Sequence, residues 1–562
     1  MNPLILFLQM HGLDRRTDRK KTVNPYRGKD GNMKMMNVKL LDCTLRDGGY
    51  INQWHFGKST IMGILERLSL AEMDFIECGF LTEKAKTEED TLFLDGKEID
   101  SYIKTPNPNA VYVAMIAIGE KEIHPDKLCD AKDTFLGGVR LTFHKNEIKK
   151  AFEWAGILKK KGYLVFMQPV GSANYDDNTL LELMKKVNHL KPYAFYIVDT
   201  LGAMSTKDMM HMLHIIDKNL DEEIALGYHS HNNLQLAFAN AQNMVEFGLK
   251  REVIIDCSVY GMGRGAGNLC TELMLEYMQR KGEKKYDVLP ILEIVDNYLL
   301  PIYLEHPWGY SIAYFLSSAV KCHPNYISYF FGKQNIQVRT IGNLLTQIPP
   351  EYRLVYHPEI IEEIYQNYQN NAIDDLEELH QLKRQWKGKN ILVLAPGRSI
   401  HSKHKAIQKY IEKQKPYVIS INFLPDFPVD MLFVANQKRY EAMKDKVEYS
   451  RTVFTSNITN LPENEEIRMV NYSTLLNNGK DVSDSTGLML FRLLVKAKVK
   501  KVNVAGLDEF KMNYLSNYCE KRYLYQEDDK TIRRKNKQMR EQMKLLRKEI
   551  DIQFITPSKY DE

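Results

Sequence analysis

The sequence predicts an α/β protein composed of a TIM barrel, a helical extension and a second α/β domain. From Val38 onward, short apolar runs with strand character alternate with amphipathic helical stretches, which is the pattern of repeated βα units. Eight such runs occur in about 240 residues, a length typical of a closed (β/α)8 barrel rather than an open sheet. At 562 residues the chain is also too long for one hydrophobic core.

Eight predicted strands define the barrel, which we expect to span residues 38–275. No GxGxxG motif follows the first of them, so the sequence does not favour a dinucleotide-binding domain here. In chain order the predicted strands cover residues 39–44, 75–79, 112–117, 138–142, 163–168, 194–199, 224–229 and 253–258.

The rest of the chain divides into three further segments. We expect residues 1–37 to form a disordered lead, and we assign no function to them. Residues 276–387 are rich in helix formers and aromatics, which predicts a helical extension. A polar stretch then leads to a fresh apolar strand at residues 391–395, so we place a boundary near Lys387 and a second α/β domain over residues 388–562.

Composition limits the possible partners and compartments. A net charge of +5 with 27% charged residues is ordinary for a soluble globular protein, and it does not indicate nucleic-acid binding. The seven cysteines form no close CxxC pair, which is typical of a reduced, cytoplasmic protein. No run approaches the roughly 20 apolar residues of a transmembrane helix. The aromatic-rich middle segment favours a homo-oligomer.

Polar residues follow four predicted barrel strands at their carboxyl ends, where TIM barrels place catalytic groups. His229 and His231 alternate along a strand, so both imidazoles point to the same side. Barrel closure makes the first, seventh and eighth strands neighbours, which brings Asp47 and Asn268 towards them. Such a mixed nitrogen and oxygen set suits Mn²⁺ or Mg²⁺, which we favour, and also Co²⁺ or Zn²⁺. The motifs are Asp42-Cys-Thr-Leu-Arg-Asp-Gly-Gly49, Asp199-Thr-Leu-Gly202, His229-Ser-His-Asn-Asn233 and Gly261-Met-Gly-Arg-Gly-Ala-Gly-Asn268.

Arg46 stands next to the predicted ligand Asp47, where a guanidinium would stabilise the enolate of a 2-oxo acid. We expect Glu77 and Asp199 to hydrogen-bond Arg46 or a nearby loop rather than bind the ion directly. A lone His-x-His pair is more often packing than a metal site, and an isolated Arg-Asp pair is usually a salt bridge. The prediction therefore depends on the motifs occurring together.

Three of these motifs together resemble the DRE-TIM metallolyase (HMGL-like) family, and the barrel is most similar to its 4-hydroxy-2-oxovalerate aldolase branch. They are Thr44-Leu-Arg-Asp-Gly-Gly49, His229-Ser-His231 and Gly261-Met-Gly-Arg-Gly-Ala-Gly-Asn268. The resemblance implies that Asp47, His229 and His231 bind the metal, that Asn268 does so in some branches, and that Arg46 stabilises an enolate. It implies a metal-dependent aldolase or lyase acting on a 2-oxo acid with an aldehyde or acyl partner.

Two departures from the family pattern limit this assignment. Met262 stands where HMG-CoA lyase has a cysteine, and Tyr50 follows the two glycines where the bacterial aldolase has a histidine base. Tyr50 and His55 are therefore both candidates for proton transfer. A Claisen-type synthase that uses an acyl-CoA is the alternative within the enzyme class.

The second domain opens with Ile391-Leu-Val-Leu-Ala-Pro-Gly-Arg-Ser-Ile400, a strand, a turn and a helix start. Free backbone N–H groups in such a turn suit phosphate, so we predict ligand binding at Gly397, Arg398 and Ser399. The whole segment resembles a small Rossmann-like domain of some sialyltransferases and of their relatives in surface-polysaccharide gene clusters. That resemblance implies a glycosyltransferase that uses a nucleotide sugar, with the barrel producing a modified sugar or acid for it. The alternative is a nonenzymatic binding module.

Overall fold

The computed structural model describes residues 37–562, except for a few short gaps. Residues 1–36, which make up nearly all of the predicted lead, lie outside the described residues. The gaps are residues 85–86, 173–174, 284, 334–335, 370–371, 480, 521–526 and 562.

Eight parallel strands close into a barrel, as the sequence predicts. Every neighbouring pair is parallel, and the pairing of the first strand with the second completes the ring. A two-residue strand, Leu92–Phe93, joins the outer side of the second strand. The barrel strands are β1 (Val38–Asp42), β2 (Phe75–Leu81), β3 (Val111–Ala117), β4 (Leu136–Phe143), β5 (Leu164–Pro169), β6 (Ala194–Asp199), β7 (Ala225–Ser230) and β8 (Val253–Cys257).

Amphipathic helices cover the outside of the barrel. In the helix Ile148–Lys160 the buried residues Ala151, Trp154, Ala155 and Leu158 recur every three or four positions, so one face lies on the sheet. Two short helices, Thr44–Asp47 and Gly49–Asn52, follow β1 directly. The other helices around the barrel are Lys58–Leu70, Gly96–Asp100, Asp177–Leu190, Thr206–Asn219, Ala237–Glu246 and Thr271–Arg280.

A helical extension follows the barrel and has a core of its own. Cys322, Tyr326, Phe330 and Ile341 are all buried within that core. The segment from Arg353 to Tyr356 lies near the carboxyl face of the barrel, where it meets the candidate site described below. The helices are Leu289–Ile294, Val295–Leu299, Leu300–Glu305, Ile312–Ala319, Pro324–Lys333, Val338–Thr346 and Pro358–Gln369.

A seven-stranded, fully parallel sheet forms the last part of the chain. Its strand order is β13-β12-β11-β10-β9-β14-β15. Leu382 and Trp386, from the helix Leu376–Trp386, belong to the same core as this sheet. By packing, that helix therefore belongs with the sheet, ahead of the boundary predicted near Lys387. The strands are β9 (Ile391–Leu394), β10 (Tyr417–Ile421), β11 (Met431–Val434), β12 (Thr452–Thr455), β13 (Arg468–Val470), β14 (Lys501–Ala505) and β15 (Asp551–Phe554).

Helices lie between these strands and after them. The basic helix Asp529–Leu546 buries Met539, Met543 and Leu546 in the core of the sheet, so its charged residues lie mainly on the other face. Among the described residues, no helix is both long and apolar enough to cross a membrane. The remaining helices of this part are Ser399–Ser402, His404–Gln414, Gln437–Met443 and Thr486–Lys496.

Candidate metal centre

Four side chains converge at the carboxyl end of the barrel, between β1, β7 and β8. The Asp47 Oδ2 atom lies 3.3 Å from His229 Nε2 and 3.6 Å from His231 Nε2. Asn268 Nδ2 donates a hydrogen bond of 2.8 Å to the same carboxylate oxygen. The structure thus brings together the four residues predicted as ligands, and all four are buried.

Several ligand atoms in this cluster are buried without a hydrogen-bond partner among the described residues. They are Asp47 Oδ1, His231 Nε2 and Asn268 Oδ1. Leaving buried acceptors unsatisfied costs roughly 1 to 3 kcal/mol each, so such groups call for an explanation. Asp47 Oδ1 lies 3.3 Å from Arg46 Nη1, which offsets part of this cost. A cation bound at the cluster would satisfy the remaining acceptors.

A chain of buried charges holds the cluster from below. Glu77 Oε2 accepts from Arg46 Nε at 3.0 Å and from Arg140 Nη1 at 2.6 Å. Asp256 Oδ2 accepts from Arg140 Nη2 and, at 2.9 Å, pairs with His229 Nδ1. His229 therefore points Nδ1 at Asp256, which directs Nε2 towards Asp47.

The two histidines differ in their electrostatic surroundings. Burial alone would lower the pKa of His229, but hydrogen bonds to Asp256 and Asp47 outweigh it and raise the pKa above its ordinary value. Burial lowers the pKa of His231 to about 4, despite the nearby Asp47 carboxylate. His231 Nδ1 bonds the Asp199 carbonyl oxygen at 3.2 Å. A neutral His231 with its Nε2 lone pair directed at the cluster has the form that a metal ligand requires.

The remaining predicted polar residues take supporting positions. Arg46 is buried beside Asp47, with Nη1 and Oδ1 3.3 Å apart, and its Nη2 has no hydrogen-bond partner among the described residues. Glu77 contacts Arg46 as described above. The Asp199 carboxylate accepts from the backbone N–H groups of Ala203 and Met204, both at 3.0 Å, and so fixes the loop after β6.

Cys43 is a member of the cluster that the sequence analysis did not include. Its Sγ, a ligand atom of Asp47 and one of His229 all lie within 4.8 Å of one another. Burial raises the pKa of this thiol well above its ordinary value, and the Sγ lies 3.1 Å from the carbonyl oxygen of Cys257. The thiol form donates to that carbonyl, so Asn268 remains the better fourth ligand.

The two residues predicted for proton transfer lie in different places. Tyr50 lines the cavity above the cluster, and burial raises the pKa of its phenol. Its ring packs on Trp54 with centroids 4.8 Å apart. His55 does not line the cavity; its side chain is 65% exposed and its Nδ1 pairs with Asp90 at 2.9 Å.

The cavity above the cluster has a volume of ≈ 250 Å³. Arg264, from the glycine-rich loop after β8, lines it and contacts the ring of His323. Leu354, Val355 and Tyr356 of the helical extension also contribute to its lining. The sequence analysis missed these residues, because they are brought to the barrel by long-range packing that leaves no local pattern.

The turn predicted to bind phosphate in the second domain already has internal partners. Gly397 N–H donates to the Gly506 carbonyl oxygen at 2.8 Å. Ser399 N–H and Oγ both bond the Asp508 carboxylate, at 2.7 and 2.5 Å. Arg398 contacts the Leu515 carbonyl at 3.3 Å. The N–H groups of Gly397 and Ser399 are therefore already engaged within the chain, and ligand binding at this turn stays a prediction.

The barrel part of this chain is similar in sequence to proteins of known function. Residues 131–297 match a family model described as HMGL-like. A 4-hydroxy-2-oxovalerate aldolase of Bacillus cereus is 27% identical over 271 residues, covering 47% of this chain and 76% of its own. An oxaloacetate decarboxylase of Mycobacterium tuberculosis is 25% identical over 244 residues, covering 43% of this chain and 70% of its own.

Among solved structures, the HMG-CoA lyase of Brucella melitensis is 17% identical, with a TM-score of 0.38, over 46% of this chain and 95% of its own. The matches to the aldolases cover the N-terminal half only. Residues 131–297 are thus similar to the HMGL-like family, and the 4-hydroxy-2-oxovalerate aldolases are homologues of part of this chain.

Proposed function

We propose that the barrel is a divalent-metal-dependent lyase or aldolase that breaks or forms the bond between C3 and C4 of a 2-oxo acid. The two relatives support this reaction class by their names. Cleaving 4-hydroxy-2-oxovalerate to an aldehyde and decarboxylating oxaloacetate both break that bond, and both leave the electron pair on C3 as the enolate of pyruvate. A site that stabilises this enolate serves either substrate.

The observation that carries the proposal is the convergence of unsatisfied ligand atoms from Asp47, His231 and Asn268 beside His229. The buried charges around them agree with a cation. Three carboxylates, of Asp47, Glu77 and Asp256, face the two guanidiniums of Arg46 and Arg140. With His229 neutral, as a metal ligand must be, this leaves one negative charge in excess. The four residues therefore fit a divalent ion, and oxygen with imidazole ligands favours Mn²⁺ or Mg²⁺, with Co²⁺ and Zn²⁺ as alternatives.

When bound, the ion supplies a Lewis acid that stabilises negative charge on the substrate oxygens. The chain itself adds Arg46, whose buried Nη2 has no hydrogen-bond partner among the described residues and lies at the floor of the cavity. A fixed donor of this kind acts where the enolate oxygen develops. Losing one typically lowers the rate by about 10²- to 10³-fold.

Of the two residues predicted for proton transfer, we retain Tyr50, because it lines the cavity and His55 does not. A phenol whose pKa is raised keeps its proton at neutral pH, so Tyr50 suits donation to an oxygen rather than abstraction from one. His144 and His323 also line the cavity and are the available imidazoles for abstraction.

Hydrogen exchange tests this proposal directly. Purified protein loaded with Mn²⁺ is incubated with pyruvate in D₂O, and loss of the methyl proton signal is followed by NMR. We expect exchange that stops when the metal is removed by a chelator and slows by about 10²- to 10³-fold in Arg46→Ala. The matched control is Arg67→Ala, whose guanidinium pairs with Glu293 at 3.2 Å outside the cavity and should leave exchange unchanged.

Two results would contradict parts of this proposal. Exchange that persists in Arg46→Ala would remove this residue from enolate stabilisation. Exchange that begins only when an acyl-CoA is added would instead favour the Claisen-type synthase. Nucleotide-sugar transfer by the second domain, a role in surface-polysaccharide or sugar-acid biosynthesis, and homo-oligomer formation remain hypotheses from the sequence.

A further inference from the structure

A second cavity, of ≈ 340 Å³, lies at the carboxyl edge of the seven-stranded sheet. The loops after β9 and β14 form part of its lining, and these two strands are neighbours in the sheet. The chain runs outward from β9 through β10 to β13 before it returns to β14, so the strand order reverses between β9 and β14. Open parallel sheets bind ligands in the crevice at such a reversal.

The floor of this cavity consists of two backbone loops in close contact. A Cβ at Gly397 would collide with the Gly506 carbonyl oxygen, and a Cβ at Gly506 would collide with that of Ala395. Gly506 also has a φ of +77°, which favours glycine. Glycine at both positions therefore allows the two loops to pack closely together at the edge of the cavity.

The lining carries basic side chains from three separate parts of the chain. Lys333 comes from the helical extension, Lys438 and Arg439 from the helix Gln437–Met443, and Lys535 from the helix Asp529–Leu546. The Lys438 ammonium makes no hydrogen bond or ion pair to any residue that the structure describes, and it lies 6.0 Å from the centroid of the Phe331 ring.

Burial and the neighbouring Arg439 lower the pKa of Lys438. An anion in the cavity would reverse this effect by favouring the charged form of the lysine. Arg439 Cζ lies 5.2 Å from the centroid of the Tyr518 ring, so a flat aromatic side chain lies beside this guanidinium.

The acidic residues of the lining are engaged elsewhere. Asp481 accepts from Arg534 Nε at 2.5 Å and Nη2 at 2.9 Å. Asp508 bonds Ser399, as described above. Burial raises the pKa of Asp484, which accepts from the Tyr365 hydroxyl at 3.4 Å. Lys333 pairs with Glu362 and Lys535 with Glu527. Among the described residues, none of the three carboxylates forms an ion pair with Lys438, so this ammonium is the lining cation placed to meet a ligand anion.

We propose that this cavity binds a phosphorylated small molecule of nucleotide size, with its phosphate against Lys438 and Arg439. Lys438 and Arg439 are adjacent in the sequence, and both side chains offer the charged hydrogen-bond donors that bind phosphate in proteins. The volume lies within the range of small-molecule sites, about 300 to 1,000 Å³. The site is separate from the proposed lyase centre, since the two cavities share no lining residue.

Isothermal titration calorimetry on the full chain tests the proposal. The probes are pyrophosphate, the 5′-mono- and diphosphates of the four common ribonucleosides, and the corresponding unphosphorylated nucleosides. We expect at least one phosphorylated probe to bind with a Kd below about 1 mM. The corresponding unphosphorylated nucleoside should bind at least about 10-fold more weakly. Absence of binding by every phosphorylated probe would overturn the proposal.

Variants locate the binding site. Lys438→Gln should weaken the best probe by about 10- to 100-fold, while Lys438→Arg should retain it. The matched control is Lys444→Gln, because Lys444 lies just after the same helix and pairs with Glu441 at 3.1 Å outside the cavity. Equal melting temperatures of the variants exclude misfolding. Unchanged affinity in Lys438→Gln, or binding abolished by Arg264→Ala in the barrel cavity, would overturn the assignment to this site.

Discussion

Replacing Asp256 by asparagine tests whether the buried charges beneath the barrel cluster orient a metal ligand. The carboxylate accepts from Arg140 and pairs with His229 Nδ1 at 2.9 Å, and it is 2% exposed. Asparagine keeps the shape but removes the charge, which leaves Arg140 and Arg46 to share Glu77. At about 4 Å and an effective dielectric near 20, one unit pair contributes about 4 kcal/mol.

Two effects of Asp256→Asn follow from this arithmetic. Breaking a buried pair costs about 3 to 5 kcal/mol of folding free energy, so the melting temperature should fall measurably. Loss of the partner that fixes the His229 tautomer should also weaken divalent metal binding by about 10- to 100-fold. That change corresponds to about 1.4 to 2.8 kcal/mol of binding free energy.

Titration of the metal-free protein with Mn²⁺ by calorimetry measures the second effect at a temperature where the variant remains folded. Asp217→Asn serves as the matched control, because Asp217 pairs with Arg251 at 3.3 Å at the far end of the barrel strands. The same loss of one negative charge there should leave Mn²⁺ affinity unchanged. If Asp256→Asn binds Mn²⁺ as tightly as the wild type, the orienting role assigned to Asp256 is wrong.

Three further outcomes are expected. Burial raises the pKa of Asp42 from 3.8 to about 6, so the folded state holds this proton more tightly than the unfolded state does. The stabilisation is complete below about pH 4 and is lost as the pH rises through 6. Urea titrations should therefore show that the free energy of unfolding of the wild type, relative to that of Asp42→Asn, falls by roughly 3 kcal/mol over that window. Gly227→Ala would drive a methyl group into the Tyr196 ring and should lower the free energy of unfolding by about 1 to 3 kcal/mol, as measured by thermal melts. The control is Gly156→Ala, which should not destabilise the protein because the space around its Cβ is open. Arg264→Ala should raise the KM for a 2-oxo acid with less effect on kcat, because its guanidinium lines the cavity and contacts His323 and the Tyr50 ring. An equal fall in kcat would contradict a role in substrate binding alone.

The barrel could be predicted from the sequence because buried parallel strands form apolar runs, and every observed strand boundary lies within two residues of the prediction. His229 and His231 could be placed together because alternation along a strand is a local rule. Arg140 and Asp256 were missed although a signal exists, since each is a charged residue inside an otherwise apolar strand. A charge in that position is stable only when another strand supplies its partner.

Other parts of the sites could not be read locally. His323 reaches the barrel cavity through the packing of the extension, and no spacing in the sequence relates it to Arg264. The turn at Gly397 has the sequence of an anion site, yet Asp508, 109 positions from Ser399, fills it with a carboxylate. A turn pattern reports the donors that the backbone offers but not the acceptors that tertiary structure brings to them.

The helix Pro324–Lys333 connects the surroundings of both cavities. Its first residue, Pro324, lines the barrel cavity, and its last, Lys333, lines the cavity of the seven-stranded sheet. Ten helical residues span about 15 Å, and this helix is anchored in its middle by the buried side chains of Tyr326, Ile327 and Phe330. Because the interior of a packed helix does not compress, a shift at one end must move the whole helix or break that core. A displacement of this helix would therefore reach the lining of both cavities, even though no lining residue is common to both.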